Sequence, residues 1–292
     1  VTASLVEKAP AKINLTLRVL GRRADGYHLL ESLVVFADLA DTLSLQPGGD
    51  AALDVSGPFA TASGPVAGNL VLKAVAALRA HVTGLKAGRF MLEKNIPVAA
   101  GLGGGSADAA AALRLLARAN ELPPDDARLA AAAPAIGADV PVCLSPRTLI
   151  MRGVGEDLSD PLDLPQLPAL LVNPGVPLST RDVFAKFSGK FDAAPLLARV
   201  PRERAAFLKW LGGQSNDLTR PAVACVPVIA DVLKALSALP GVRLARMSGS
   251  GPTCFALFAS AGEAATAVRL LQAERKDWWL HPTTLAAAGE RP

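Results

Sequence analysis

Residues 88–108 constrain the fold of this chain more than any other stretch. A strand-like segment, 88–94, runs into Asn95-Ile-Pro-Val-Ala-Ala-Gly-Leu-Gly-Gly-Gly-Ser-Ala-Asp108, and a helical pattern follows at once. In that pattern Ala109, Leu113, Leu116 and Asn120 recur at steps of three and four, with Ala110 and Ala117 on the same side. Gly101, Gly103, Gly104 and Gly105 let the backbone turn its N–H groups toward one point and let a ligand come close. A helix start adds unpaired N–H groups and the positive end of a dipole. Strand, glycine loop and helix in that order make a phosphate cradle. A Walker loop is disfavoured, because Ser106-Ala107 stands where Lys-Ser or Lys-Thr would follow the last glycine. The plainer alternative is a flexible loop that ends in Ser106 as a helix N-cap. Pro97 stiffens the way in and argues for order.

A chain of 292 residues suits two domains, and 51% hydrophobic content provides for two cores. No apolar run reaches membrane-spanning length free of charge or proline. The first residues show neither a signal nor a transit peptide. Cys143, Cys225 and Cys254 lie far apart among apolar residues, which predicts buried, reduced thiols in a cytoplasmic protein and no cysteine metal site. The net charge of +4 is mild, and its basic residues form no dense stripe with aromatic residues among them, so nucleic acid is not an expected partner. Abundant alanine, and arginine in excess of lysine, are what a GC-rich bacterial genome produces.

Strands and helices alternate in mixed order, which predicts α+β rather than a doubly wound sheet. Residues 12–20 alternate, with Ile13, Leu15, Leu17 and Val19 on one face and Asn14, Thr16 and Arg18 on the other, as in a half-buried strand. Residues 21–26 read as a turn, and 29–36 and 42–45 as two strands. Asn69 caps an expected helix to about residue 82. Residues 125–133 read as a helix and 147–152 as a strand, and the proline-rich 161–168 as a crossover between domains. Beyond it come a strand over 169–173, helices over 179–187, 201–211 and 221–239, and strands over 243–248 and 253–258. A helix over 262–275, a strand over 278–283 and a disordered tail from Ala286 complete the expectation.

Several residues have two readings. Asp139, in Ile136-Gly-Ala-Asp-Val-Pro141, is either a helix N-cap with proline just inside or an acid held in an apolar place. Lys12 opens a strand and is a solvated lysine on local grounds. Tyr27, the only tyrosine, precedes His28 in a glycine-hinged loop, and either covers a core edge or meets a ligand. His81 and His281 read as structural or solvated. The turn Gly249-Ser-Gly-Pro-Thr253 is a tight hairpin or a second anion contact.

Together these segments resemble the GHMP kinase superfamily. The motifs are Ala9-Pro-Ala-Lys-Ile-Asn-Leu15, Gly21-Arg-Arg-Ala-Asp-Gly-Tyr-His28, the cradle, Ile136 to Pro141, Gly153-Val-Gly-Glu156, Leu171-Val-Asn-Pro-Gly175, Asn216-Asp-Leu218 and Met247-Ser-Gly-Ser-Gly-Pro-Thr253. The first two are similar to the branch whose acceptor is a cytidine diphosphate conjugate of methylerythritol. The resemblance implies an ATP-binding N-terminal domain over 1–160, of ribosomal-protein-S5-like fold, and a ferredoxin-like substrate domain over 161–292. It implies that Asp139 takes the proton of the acceptor hydroxyl and that Lys12 orients this carboxylate, with Asn14 beside them. Tyr27 and Phe184 would sandwich the cytosine, His28 would read its edge, and Thr180 would line the same pocket. Lys94 and the loop from Pro97, with Gly101, Gly103, Gly104, Gly105 and Ala107, would hold ATP, and Ser106 would meet its phosphates. Gly249, Ser250 and Gly251 would close the site from the second domain. ATP and Mg²⁺ are the implied cofactors, with no metal ligand assigned on the chain. In one departure, Ala107 stands where the superfamily often has a second serine. Two rival classes are a non-catalytic nucleotide or sugar binder that keeps the fold as a sensor, which would be free to lose Lys12 or Asp139, and a nucleic-acid module, which the charge pattern opposes.

Overall fold

A computed structural model describes residues 4–189, 191, 197 and 199–286. Apart from Ala286 itself, the expected disordered tail lies outside them. The chain opens with β1 (Leu5–Asn14), β2 (Arg18–Arg22), β3 (His28–Pro47), β4 (Ala52–Ser56), α1 (Leu70–Arg79), β5 (Gly88–Glu93), α2 (Gly104–Ala119), α3 (Ala127–Ile136) and α4 (Val140–Leu144). It continues through β6 (Leu149–Gly153), β7 (Asp157–Leu158), β8 (Leu167–Asn173), α5 (Thr180–Ala185), α6 (Arg204–Gly212), α7 (Thr219–Cys225) and α8 (Val228–Ser237). The last elements are β9 (Leu244–Met247), β10 (Cys254–Leu257), α9 (Ala261–Glu274) and β11 (Trp279–Leu285). The order is mixed α+β, as expected.

Compactness divides the chain into two units that interleave in sequence. One comprises Val1–Lys12, Leu39–Val98 and Gly103–Pro146, the other Ile13–Asp38, Ala99–Leu102 and Arg147–Pro292. The expected functional boundary at 160 is a single cut, whereas long strands carry the chain from one compact unit to the other.

In the first unit, β4 lies parallel to β5, and β5 lies antiparallel to β3 from Thr42↔Glu93 to Pro47↔Gly88. β1 also pairs with β3, and Lys8 Nζ donates to Thr42 Oγ1 at 3.0 Å. β5 alternates as a strand with one buried face must: Gly88, Phe90 and Leu92 are buried, while Arg89, Met91 and Glu93 are exposed. α1 begins at the foreseen cap, where Asn69 Oδ1 accepts from Val71 N at 2.9 Å. It buries Val71, Ala74, Val75 and Leu78, one face at helical spacing. α2 is buried around most of its girth, and its alanines let α1, α3 and α4 approach closely. Each large side chain fully buried here, such as Phe90, contributes roughly 1.5–3 kcal/mol.

In the second unit, strands in the order β11-β8-β10-β9 form antiparallel pairs. With α5 to α8 after β8 and α9 after β10, this is the β-α-β-β-α-β ferredoxin-like arrangement. Its core joins Leu170, Val172, Ala256 and Phe258 of the sheet side to Ile229, Val232 and Leu236 of α8 and to Ala264, Ala267 and Leu271 of α9. The first part of β3 pairs with β2 and β6.

Four local expectations are corrected. The strands read at 29–36 and 42–45 are one strand, because no glycine, proline or asparagine interrupts residues 37–46. The helix read over 221–239 is two, α7 and α8, parted at Val226 and Pro227. Cys225 is only half-buried, unlike Cys143 and Cys254. The strand read over 12–20 is the end of β1, a break, and β2, and its polar face is not solvated. Asn14, Thr16 and Arg18 are all buried. Asn14 Nδ2 donates to Ser32 Oγ at 2.7 Å, Leu33 N donates to Thr16 Oγ1 at 2.9 Å, and Arg18 pairs with Glu31. Period-two alternation cannot distinguish water from a buried polar partner on the second face.

Candidate active site

The first unit holds an ion pair, a glycine cradle and a buried triad of charges. Lys12 and Asp139 meet at 2.9 Å. The Lys12 side chain is 5% exposed and that of Asp139 39%. Lys12 is therefore not the solvated lysine that its strand mouth suggested. Asp139 does occupy the N-cap position of α4, with Pro141 in the first turn, but its side chain makes no capping bond. Proline costs nothing there, since first-turn N–H groups lack helical partners anyway. The carboxylate is left to Lys12 and solvent, so it has a cation on one side and space for a reactant on the other.

α2 starts at Gly104, with Gly103 as N-cap in the left-handed region at φ 63°. The alternative in which Ser106 caps this helix is corrected: Ser106 lies inside its first turn. The first intrahelical bond runs from Ala107 N to Gly103 O at 2.8 Å. The N–H groups of Gly104, Gly105 and Ser106 precede that bond and point out of the helix start, as anion binding needs. A Cβ on Gly103 would stand 3.1 Å from Lys12 Cβ, so the loop lies directly on the lysine stem. The same local geometry thus sets the glycine loop beside the ion pair. Ala107 is buried and adds no side-chain donor.

Lys94 lies just past β5. Its ammonium donates to Asp41 Oδ2 and, at 2.7 Å, to Asp108 Oδ2. Asp41 Oδ1 accepts from Asn95 N at 2.5 Å and from Ile96 N at 2.8 Å, where the chain runs into the loop.

The second unit holds a different set. Asn14 N donates to Ser248 Oγ at 3.1 Å, ahead of the turn at 249–251. Asn216 Nδ2 donates to Met247 O and Gly249 O, each at 2.8 Å, and so fixes this turn from the α6–α7 side. Gly101 must be glycine: its φ is 74°, and a Cβ would stand 2.5 Å from Gly251 O. Thr180 Oγ1 and Ser250 Oγ lie 2.8 Å apart. Arg246 is buried and donates to the carbonyls of Leu15, Leu211 and Gln214, and burial lowers its guanidinium to about 10.

His28 stacks on Phe184, with ring centroids 4.8 Å apart and planes 21° apart. Tyr27 is 62% exposed and makes no ring contact with Phe184 among the described residues. Of its two sequence readings, the one in which it covers a core edge is corrected. Burial, and then the charge of Arg22, lower the pKa of His28, which keeps the imidazole neutral at neutral pH with one donor and one acceptor.

Residues 69–147 match the GHMP kinases N terminal domain, and residues 194–276 match GHMP kinases C terminal. The 4-diphosphocytidyl-2-C-methyl-D-erythritol kinase of Rhodopseudomonas palustris (strain BisB5) is 53% identical over 97% of this chain and 99% of its own length. The kinase of the same name from Methylobacterium radiotolerans is 54% identical over 96% of this chain and 99% of its own. The chain belongs to the 4-diphosphocytidyl-2-C-methyl-D-erythritol kinase family.

A crystal structure of a 4-(cytidine 5'-diphospho)-2C-methyl-D-erythritol kinase superposes with a TM-score of 0.79 at 35% identity, covering 97% of this chain and 100% of that one. Homoserine kinase from Cytophaga hutchinsonii, 19% identical with a TM-score of 0.71, shares the fold. As a GHMP kinase of this family, the chain is an ATP-dependent phosphotransferase with the two-domain α+β fold. Among the described residues, no three His, Cys, Asp or Glu side chains gather in a way that could hold a metal ion. None of the described helices is long and apolar enough to cross a membrane.

Sequence reasoning singled out Lys12, Asp139 and the glycines, but not Asp41, Asp108, Ser32 or Ser248. An aspartate early in α2 could have drawn notice as a buried charge on an alanine-rich helix. Nothing local distinguishes Asp41 or Ser248 from solvated residues.

Proposed function

We propose that this chain transfers the γ-phosphoryl group of ATP to the C2 hydroxyl of 4-diphosphocytidyl-2-C-methyl-D-erythritol. The product is the 2-phosphate, and the step belongs to the methylerythritol phosphate route to isopentenyl diphosphate in the cytoplasm. The observation that carries the proposal is the Lys12–Asp139 pair at 2.9 Å beside the Gly103 loop. Asp139 accepts the proton of the acceptor hydroxyl, and Lys12 holds the carboxylate in place and offsets charge at the transferring group.

ATP, when bound, supplies the phosphoryl group. The N–H groups of Gly104, Gly105 and Ser106 receive its phosphates, with the Ser106 hydroxyl as a further donor, and the chain from Pro97 through Gly101 and Gly103 shapes the cradle. Mg²⁺ would be held by the nucleotide rather than by side chains. In the second unit, Asn14, Thr180, Gly249, Ser250 and Gly251 serve the acceptor. Tyr27 and Phe184 supply aromatic faces for its cytosine, and His28, held against Phe184, reads the base edge. By this division, 1–160 is the ATP-binding part and 161–292 the substrate part. Incubation with ATP, Mg²⁺ and the cytidine substrate is expected to release ADP and the 2-phosphate in equal amounts. ADP release independent of the acceptor would sink the proposal.

Tyr27→Ala is expected to raise KM for the cytidine substrate to an extent equivalent to ~1–3 kcal/mol of lost stacking. His28→Ala is expected instead to relax discrimination between cytidine and uridine analogues, since stacking tolerates any base and hydrogen bonds carry selectivity. Steady-state kinetics with both analogues separate the two effects. Unchanged KM in Tyr27→Ala, or a wild type that accepts the uridine analogue equally well, would reduce this loop to a structural hairpin.

A further inference from the structure

One ammonium beneath the phosphate cradle serves two carboxylates in a dry place. Lys94, Asp41 and Asp108 are all buried. Asp108 Oδ2 takes its bond from Lys94, and Asp108 Oδ1 has no hydrogen-bond partner among the described residues. Lys94 Nζ also lies against the helix start, since a Cβ on Gly104 would stand 3.4 Å from it. Asp41 clasps the N–H groups of Asn95 and Ile96, so the triad ties the chain entering the loop to the first turns of α2.

We propose that Asp41, Lys94 and Asp108 are positioning residues for ATP, which hold the cradle in shape and set the charge directly beneath it. The proposal rests on the reading that ATP binds at this cradle. It places Lys94 behind the loop, acting on the nucleotide through the backbone and through charge rather than by direct contact of its ammonium.

With both carboxylates ionised, the triad carries a net negative charge without solvent, which is costly. A proton on Asp108 removes it. Burial pushes the Asp108 carboxyl up, Lys94 opposes this, and Asp41 adds to it, leaving it at about 8. The groups that face it are few. Lys94 and Asp41 come from the β5 and β3 sides. Cys143 comes from α4, and its thiol, pushed up to about 12 by burial, stays neutral over the same range. The Lys12–Asp139 pair, which also acts on Cys143, sums to zero charge. The buried side chains of α1 and α3 are apolar.

The sign follows. As pH rises through about 8, Asp108 loses its proton and a negative charge appears under the cradle. That charge repels phosphate, so ATP affinity falls on the alkaline side. Because the folded pKa lies above the unfolded one, the stability contributed by the bound proton is complete below the usual carboxylate range. It is lost as pH rises toward about 8.

The test is the KM for ATP and, separately, for the cytidine substrate, on the full chain between pH 6.5 and 9.5, in wild type and Asp108→Asn. The amide keeps an acceptor for Lys94 and cannot ionise. In wild type, KM for ATP is expected to rise on the order of tenfold across the range, a charge effect at close range in a partly dry site. Asp108→Asn is expected to flatten the profile, and KM for the cytidine substrate to move little in either protein. A merely structural Asp108 would alter thermal stability without changing the ATP profile. If Asp108→Asn fails to fold, the wild-type profile alone decides, and a flat one overturns the proposal. A rise that persists unchanged in Asp108→Asn overturns it as well. A wild type that does not bind ATP at all overturns the cradle reading and this proposal with it.

Discussion

Asp139→Asn lowers kcat by about 10²–10⁴-fold, the usual range for loss of a general base, while both substrates still bind. The amide matches the carboxylate in size and still offers an oxygen to Lys12, whose side chain is 5% exposed and needs an acceptor. What disappears is the basic oxygen. α4 should keep its start, because the Asp139 side chain makes no capping bond to lose. Separate titrations with ATP and the cytidine substrate, with a thermal melt as a control for folding, isolate the chemical step. A variant that retains more than about a tenth of the wild-type kcat shows that Asp139 is not the base.

Gly104→Val weakens ATP binding by roughly tenfold to hundredfold, which corresponds to the ~1–3 kcal/mol of overpacking in a close-packed site. A Cβ at this position would stand 3.2 Å from Ile96 Cγ2 and 3.4 Å from Lys94 Nζ. Neither neighbour gives way easily. Ile96 is fully buried, and Lys94 is held by Asp41 and Asp108. The two methyl groups of valine add to the crowding, so the helix start must shift and its N–H groups lose their common aim. Affinity for the cytidine substrate should stay near the wild-type value. Equal loss of both ligands, together with a lowered melting temperature, would point to general misfolding rather than to a phosphate cradle.

Much of the local structure was legible in the residues. The glycine loop between β5 and α2, the Asn69 cap and the alternation of β5 follow from backbone freedom, capping chemistry and side-chain period, which act over a few positions. The continuous β3 was less legible. Strands end where pairing ends, and this one finds β2 and β6 along its first part and β5 along its last.

The kinds of element, the place of the glycine loop before α2 and, through the motifs, the family could all be read from the residues alone. Tertiary structure decided which polar groups are buried and what each one meets. Lys12 looked solvated and is buried against Asp139. Asn14, Thr16 and Arg18 looked like a wet face and are bonded to Ser32, Leu33 and Glu31. Lys94 ends a strand in sequence, and its ammonium is buried between two carboxylates from distant segments. The physical reason is the same throughout. Helical and strand periods report whether one face is apolar, but the partner of a buried polar group comes from a segment distant in the chain. Only folding brings that segment within hydrogen-bonding reach, where the cost of burying the group is offset.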